Sequence, residues 1–171
     1  MRHSERSKQA KWAYLVVGVA LVAALTAGAL LSGVKAAETA ADTEFRALIE
    51  RYAAAWSTSD ADQAAPLYAK DAGLVFYDLA PFAYAGWSEY REGVKKTFFD
   101  KMSSGKVTHK DDLGVTRRGN LAWTTVSLHM SIDFKDGKTA EIDARHTAIW
   151  EKRGGKWLIV HEHVSAPLPE S

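Results

Sequence analysis

The sequence predicts an α+β fold in which three N-terminal helices pack into a curved antiparallel sheet, with a hydrophobic helix before them. Apolar residues recur at helical spacing between residues 42 and 102 and at every second position in much of the segment from about 106 to 165. Glycine-containing turn sequences divide that second segment. The length of 171 residues accommodates one such domain and one export segment.

The composition excludes several classes of function. The sequence contains no cysteine, which excludes disulfides, thiolate catalysis and cysteine-ligated metal sites. Five of the 22 basic residues but only one of the 21 acidic residues lie in the first 36 positions, so the remaining body has 17 basic and 20 acidic residues and a net charge of −3. A mildly acidic body argues against nucleic acid as a partner, because phosphate neutralisation supplies most of that affinity.

Residues 1–36 are predicted to direct export. The run Trp12–Val34 has no charged residue and follows four basic side chains, which favours a helix that spans a bilayer with its N-terminus in the cytoplasm. The sequence Val34-Lys35-Ala36-Ala37 also has the small residues that a signal peptidase recognises. A cleaved signal peptide and a retained anchor over residues 12–34 both stay open. Either predicts a periplasmic or extracellular domain whose membrane contact is limited to this segment.

A linker over 37–42 precedes the domain at 43–167, and residues 168–171 form a tail. We expect Asp42 to cap the first helix and Ser57-Thr58-Ser59 to end it. Its apolar positions trace one helical face: Phe45, Leu48, Ile49, Tyr52, Ala53 and Trp56.

Two further helices and a short strand complete the N-terminal half. Asp60 begins a second helix, Ala61 to about Lys70, and Leu74 to Asp78 is predicted to be a strand. Ser88 begins a third helix, in which apolar residues recur at every fourth position: Tyr90, Val94, Phe98 and Met102.

The C-terminal third is predicted to be a meander of four strands. Tight turns are expected at Arg118-Gly119-Asn120, at Lys135-Asp136-Gly137-Lys138 and at Arg153-Gly154-Gly155-Lys156, where glycine permits positive φ. In the second strand the alternating side chains from Ala122 to Phe134 form an apolar face, and the opposite face is mixed. Long strands coil, so the sheet should curve around the helices.

Aromatic residues predict an apolar cavity inside the curved sheet. At helical spacing such residues also form ordinary core, so both interpretations stay open. The ligand-binding candidates among them are Trp56, Phe76, Tyr84, Trp87 and Trp123, next to Tyr52.

Asp78 is the candidate general base. Strand alternation places it on the same side as Leu74 and Phe76. Desolvation in an apolar pocket would raise the pKa of its carboxyl toward neutrality, which suits proton abstraction. The alternative is an aspartate that caps the turn before Pro81.

A polar cluster is predicted on the last two strands. Period-two spacing aligns Arg145 with Thr147 and His161 with His163, which suits a carboxylate or carbonyl ligand at a pocket wall. A subunit contact is the alternative. His161 and His163 can chelate a metal if His129 or Asp143 converges on them, but Arg145 would repel the cation, and no metal or cofactor is expected. His129 remains a ligand-binding candidate.

The order of these elements resembles the nuclear transport factor 2-like superfamily, in particular its SnoaL-like and ketosteroid isomerase-like domains. The resemblance spans residues 43–167 and implies a cone-shaped, cystatin-like barrel. The strings that support it are ERYAAAW (50–56), Asp60, LYAKDA (67–72), Gly86, Arg145-His146-Thr147 and GGKWLIVHEHVS (154–165). The last string is also similar to the association domain of calcium/calmodulin-dependent protein kinase type II.

The resemblance to ketosteroid isomerases implies roles for three positions. Tyr52 matches the tyrosine that donates to an oxyanion. The proton-shuttling aspartate aligns with Phe76, so a shift of two residues is needed to give Asp78 that role. The second oxyanion acid aligns near His146 or Thr147, where there is no carboxylate, and steroid isomerisation is therefore disfavoured.

Two hypotheses follow. The first is an exported, homodimeric SnoaL-like protein that binds a small apolar ligand with a carbonyl or carboxylate. If it is an enzyme, its chemistry is cofactor-free acid–base catalysis of the isomerase, cyclase or hydratase type, with Tyr52, Asp78 and His161 as catalytic residues and Arg145 fixing an anionic group. The alternative is a non-catalytic dimerisation or adaptor module that uses the apolar face of the meander as a two-fold interface.

Overall fold

The computed structural model of the chain describes residues 39–168. The helices are α1 (Ala40–Trp56), α2 (Ala61–Ala64) and α3 (Gly86–Thr97), with 3₁₀ turns at Ala65–Leu67 and Phe99–Lys101. The strands are β1 (Val75–Tyr77), β2 (Tyr84–Ala85), β3 (Met102–His109), β4 (Gly114–Arg118), β5 (Leu121–Phe134), β6 (Thr139–Arg153) and β7 (Lys156–Ser165). The segment predicted to be a signal peptide or anchor lies outside these residues. Within the part described, no helix is long and apolar enough to cross a membrane.

One curved sheet supports the helices, as the sequence predicts. Its strand order is β2-β1-β7-β6-β5-β3, and β4 pairs with the same edge of β5 as β3 does. Neighbouring strands are antiparallel except β1 and β7, which are parallel. The three predicted hairpin turns are confirmed at the positions where glycines adopt positive φ. The fold is therefore the predicted α+β class.

The helix boundaries differ from the predictions for local reasons. Thr39 caps α1, because its hydroxyl oxygen accepts from the Asp42 amide. Asp42 lies at the third helical position, and its carboxylate accepts from the Thr39 amide, which completes a capping box. The second helix ends at Ala64 rather than near Lys70 because Pro66 has no amide proton for a helical bond. The third begins at Gly86, two residues before the predicted Ser88.

The meander has five strands rather than the predicted four. The segment before Arg118 divides into β3 and β4, which pair with successive halves of β5. Between them the Asp112 carboxylate accepts from the Ser127 amide at 3.0 Å and from its hydroxyl at 2.6 Å. The Asp112 side chain thus takes the place of a backbone acceptor for the Ser127 amide. The backbone pairing along this edge of β5 is interrupted there.

A β-bulge in β7 decides which side chains face the interior. Trp150 on β6 lies opposite Ile159, whereas its neighbour Ile149 lies opposite His161, so Val160 is an extra residue in β7. Odd-numbered side chains point inward before the bulge. After it, Glu162 is buried instead and the histidine on either side of it is not.

The interior between sheet and helices is densely aromatic. Trp150 is fully buried, and its indole N–H donates to the Thr124 hydroxyl at 3.0 Å. The predicted inner face of α1 is confirmed, because all six apolar positions named for it are buried. The apolar face of β5 also points inward, and Leu128 is fully buried. The more apolar face of the meander is consequently not free to form a two-fold interface, which corrects that part of the adaptor hypothesis.

Gly93 provides a test of the contact between α3 and β2. A Cβ at this position would overlap the Tyr84 ring. We expect Gly93→Ala to lower the free energy of unfolding by about 1–3 kcal/mol, as overpacking does, although alanine favours helix by about 1 kcal/mol over glycine. Chemical denaturation distinguishes the two effects, because overpacking lowers the free energy of unfolding and the helix propensity of alanine raises it.

The Tyr84→Leu background is the matched control for that prediction. Removing the ring should relieve most of the cost of Gly93→Ala, so the two changes should couple in a double-mutant cycle. A cost that is unchanged in this background would show that the Tyr84 ring is not the constraint.

Candidate functional site

Glu162 is the centre of a buried polar cluster. Its side chain has no exposed surface, and it lies on β7 directly after the bulge. The Tyr68 hydroxyl donates to Oε2 at 2.8 Å, and the Tyr90 hydroxyl contacts Oε1. His146 Nε2 on β6 lies 3.3 Å from Oε2. Polar partners from three parts of the chain thus surround a carboxyl group that would otherwise be costly to bury.

Three buried tyrosines surround this carboxyl group. Burial raises the pKa of Tyr52, Tyr68 and Tyr90 well above the ordinary tyrosine value, and the charge of Glu162 raises each further. Their hydroxyls therefore remain protonated donors at physiological pH. The Trp56 indole N–H donates to the Tyr68 oxygen at 3.2 Å. Tyr68 accordingly accepts from Trp56 and donates to Glu162.

Asp78 follows β1 and lies on the same side as Phe76, as predicted. Its Oδ1 accepts from the Leu79 amide at 2.7 Å, and its Oδ2 is 3.2 Å from the Tyr90 hydroxyl. Burial raises the pKa of Asp78 to about 7, and the nearby charge of Glu162 adds to this. Near neutral pH the carboxyl group therefore exists in both protonation states, which is the property expected of a general base or acid.

Asp78, Tyr52 and Tyr90 are polar residues in the wall of a mainly apolar cavity of about 80 Å³. That volume has room for several water molecules or a small organic group. The remaining lining residues are Trp56, Leu79, Val94, Phe98, Phe99, Met102, Gly105, Lys106, Val107, Met130, Ile132 and Val164. Lys106 is exposed and pairs with Ser131 on the outer face of β5, so its side chain points away from the cavity.

A second, outer groove adjoins this cavity. Asp78 and Leu79 line both, and the groove of about 560 Å³ also has Tyr77, Phe82 and His163 in its walls. The predicted ligand-binding residue His163 thus lies in the outer groove and not in the inner cavity.

The structure brings together some of the predicted site residues. Tyr52, Trp56 and Asp78 line the inner cavity. Three other aromatic candidates, Phe76, Tyr84 and Trp87, lie in a packed layer behind it. In this layer Phe76 stacks on Tyr90 with ring centroids 5.3 Å apart, Tyr84 lies 5.0 Å from Tyr90, and Trp87 lies 4.4 Å from Tyr68.

The predicted inward orientation of Arg145, Thr147 and His161 is wrong. Arg145 and Thr147 alternate with the buried His146, so they point to the outer face of β6. The bulge at Val160 turns His161 outward, where its Nδ1 lies 2.7 Å from the Val75 carbonyl oxygen. None of the three lines the inner cavity.

Trp123 and His129 also lie on the outer face of the sheet. Trp123 is 39% exposed. His129 lies 2.9 Å from a Glu141 oxygen and 3.0 Å from an Asp143 oxygen in a surface ion-pair cluster. Neither contributes to the inner cavity, and within residues 39–168 no group of three or more acidic or histidine side chains is arranged to hold a metal ion.

Sequence reasoning missed Glu162, His146 and the link between Tyr68 and Tyr90. Both Glu162 and His146 lie on the inner face of their strands, opposite the predicted polar cluster. One signal was available: His146 lies between Ala144 and Ala148 in strict alternation with them, so it belongs to the same face as those small apolar residues.

Comparisons with proteins of known sequence and structure agree with this architecture. Residues 45–169 match the profile of the SnoaL-like domain. No curated protein matches the chain. A nuclear transport factor 2 (NTF2-like) superfamily protein from Salmonella enterica serovar Typhimurium superposes with a TM-score of 0.69 at 23% identity, over 75% of this chain and 92% of that chain.

Two further solved structures have names that suggest different functions. A protein from Xanthomonas campestris, provisionally named a calcium/calmodulin-dependent protein kinase II association domain, has a TM-score of 0.63 and 28% identity over 75% of this chain and 88% of its own. A Streptomyces avermitilis protein provisionally named a dehydratase of the NTF2-like family has a TM-score of 0.61 and 15% identity, over 71% and 91%. The profile match covers more than half of the sequence, and the chain belongs to the SnoaL-like domain family within the nuclear transport factor 2-like superfamily.

Proposed function

We propose that this chain binds a small, mainly apolar ligand with a carbonyl or carboxylate group in the inner cavity, and that Asp78 moves a proton on it without a cofactor. One observation supports this most directly. The carboxyl group of Asp78, with its pKa raised to about 7, lies in the wall of a cavity that is otherwise almost entirely apolar. A carboxyl group held near its titration midpoint can both take and return a proton.

The proposed chemistry needs one base and one hydrogen-bond donor. The Asp78 carboxylate takes a proton from the atom next to the ligand carbonyl, and the electron pair left behind delocalises onto the carbonyl oxygen. The Tyr52 hydroxyl donates a hydrogen bond to that oxygen as its negative charge grows. Protonated Asp78 then returns the proton to another atom of the ligand, which gives isomerisation, or to a leaving hydroxyl group, which gives dehydration.

The structure changes two roles in the sequence-based hypothesis. His161 has no part in this chemistry, because its ring lies on the outer side of β7. Arg145 is exposed on the outer face, so it does not contact a carboxylate of a ligand in the inner cavity. We further propose that the domain acts outside the cytoplasm, a proposal that the uncharged run Trp12–Val34 supports.

A non-catalytic dimerisation module is the second candidate. The 28% identity to the provisionally named kinase association domain favours it, as does the exposure of Trp123 on the outer face of the sheet. Light scattering of the full chain and of Trp123→Lys distinguishes the outcomes. A dimer that the lysine variant converts to monomer would support an interface at this face, and a wild-type monomer at micromolar concentration would contradict it.

Proton exchange tests the enzymatic proposal. We expect wild-type protein in deuterated buffer to accelerate exchange of the α-protons of cyclohexanone, a small apolar ketone, as followed by ¹H NMR. Asp78→Asn should slow this by about 10²–10⁴-fold because it removes the base, and Tyr52→Phe should slow it by about 10²-fold or more because it removes a donor to the oxygen.

His129→Gln is the control for that experiment, because His129 lies on the outer face and contacts surface carboxylates. The His129→Gln variant should catalyse exchange of the cyclohexanone α-protons at the wild-type rate. If Asp78→Asn also retains the wild-type rate, Asp78 is not the base.

The raised pKa of Asp78 also predicts how stability depends on pH. Because this pKa rises from 3.8 to about 7 on folding, the folded state binds the proton more tightly than the unfolded chain. The stabilising contribution is complete below about pH 4 and is lost as the pH rises through 7. Between pH 4 and 8 the free energy of unfolding of wild type should fall by on the order of 2–4 kcal/mol relative to Asp78→Asn.

Urea denaturation of the two proteins at several pH values measures this difference. Asparagine retains the oxygen that accepts from the Leu79 amide, so the comparison isolates the titration. Parallel curves for the two proteins from pH 4 to 8 would contradict the raised pKa of Asp78.

A further inference from the structure

Tyr90 lies between two carboxyl groups but has a single hydroxyl proton. Its oxygen is 3.2 Å from Asp78 Oδ2 and also contacts Glu162 Oε1. A phenol donates one hydrogen bond at a time. In any one state of the site, the Tyr90 proton therefore serves either Asp78 or Glu162.

The two carboxyl groups differ in what else they contact. Glu162 has Tyr68 at 2.8 Å and His146 at 3.3 Å as further partners. The Tyr68 hydroxyl is the donor in its bond to Glu162, because a carboxylate only accepts, and the Tyr68 oxygen accepts from Trp56. Asp78 has the Leu79 amide on its other oxygen. Glu162 thus retains partners when Tyr90 turns away, whereas Oδ2 of a charged Asp78 depends on Tyr90.

We propose that Tyr90 and Glu162 are positioning residues that couple to the protonation of Asp78, an inference that rests on the proposed function. While Asp78 is a carboxylate, Tyr90 donates its proton to Oδ2. When Asp78 takes a proton from the ligand, the new O–H donates to the Tyr90 oxygen and the Tyr90 proton turns to Glu162. One proton enters the network, the Tyr90 O–H bond rotates, and no bond of the phenol breaks.

The coupling gives the two positioning residues opposite effects on Asp78. The negative charge of Glu162 disfavours a second negative charge at Asp78, so it makes Asp78 hold its proton more tightly. The Tyr90 hydroxyl stabilises the Asp78 anion by donating to it, so it makes Asp78 release its proton more easily. Replacing a residue that only supports the fold is not expected to shift the pKa of Asp78 in a defined direction.

Other titratable groups also face Asp78 or line the same cavities, and neither Glu162→Gln nor Tyr90→Phe replaces any of them. They are Tyr52 on α1, Tyr68 after the first 3₁₀ turn, Tyr84 on β2, His146 on β6, and the exposed Lys106 on β3 and His163 on β7.

Carboxyl NMR of the full chain tests the coupling without a ligand. The protein is labelled with ¹³C at the aspartate side-chain carboxyl carbons, and the Asp78 signal is assigned by its loss in Asp78→Asn. In wild type we expect its midpoint at a pH of about 7. Glu162→Gln should move the midpoint down toward the ordinary aspartate value of about 4, and Tyr90→Phe should move it above the wild-type value.

Tyr84→Phe is the matched control. It removes a phenol that also packs against Tyr90, but its hydroxyl donates to the Ala80 carbonyl at 2.9 Å rather than to Asp78. Its midpoint should remain close to that of wild type. The acid limb of the cyclohexanone exchange profile should follow the NMR midpoints, moving to lower pH in Glu162→Gln.

The outcomes separate this inference from the proposed function. Midpoints that do not move, or that move in the same direction in both variants, would overturn the coupling even if wild type exchanges cyclohexanone protons. Opposite shifts in a protein that exchanges nothing would support the coupling and reject Asp78 as a base for such ligands. If Glu162→Gln does not fold, a Tyr90→Phe midpoint at or below that of wild type is sufficient to overturn the inference.

Discussion

The arrangement of the site depends on the burial of one carboxyl group. Glu162 has no exposed surface, and a bare carboxylate in such a place would cost several kcal/mol. The cost is offset because the Tyr90 hydroxyl on α3 and the Tyr68 hydroxyl after the first 3₁₀ turn donate to its two oxygens, and His146 on β6 also contacts it. The need to satisfy this group fixes the orientations of Tyr68 and Tyr90, and through Tyr90 it reaches Asp78. Glu162 does not line the cavity itself, but it determines how the polar groups of Tyr90 and Asp78 are arranged in the cavity wall.

The aromatic layer gives this network its rigidity. Phe76 stacks on Tyr90, and Trp56 makes ring contacts with both Tyr68 and Tyr90. Such contacts restrict the rings to one orientation, so the hydroxyl groups lie where the carboxyl groups need them. Glu162 and the rings around it are buried, and the low local dielectric strengthens the electrostatic effect of one carboxyl group on the other. The same packing leaves a cavity that admits only a small ligand group.

The sequence predicted the architecture well because the fold depends on patterns that single residues do not disturb. Helical periodicity identified the buried face of α1, and the glycine turns located the hairpins of the meander. Asp78 was placed correctly because β1 has regular alternation up to that point. The inner surface of β7 was not, because a bulge at Val160 reverses the alternation and nothing in the local sequence marks it. Because of this one extra residue, Glu162 faces the interior instead of His161, which regular alternation would have placed there. On β6 the alternation is regular, but alternation alone does not identify which set of side chains faces the interior. The inner set contains His146, whereas Arg145 and Thr147 belong to the outer set.

The parallel pairing of β1 with β7 has a mechanical consequence. Phe76 lies opposite Glu162 in that pair, and Asp78 follows two residues later, directly after the end of β1. The spacing between the two acids is therefore set by neighbouring strands of one sheet, while the phenol that joins them is on α3. If a ligand displaces α3, the acids keep their separation and the link between them lengthens or shortens. Movement of α3 would then change the basicity of Asp78 by changing its hydrogen bond to Tyr90, while the distance between the two acids stays the same.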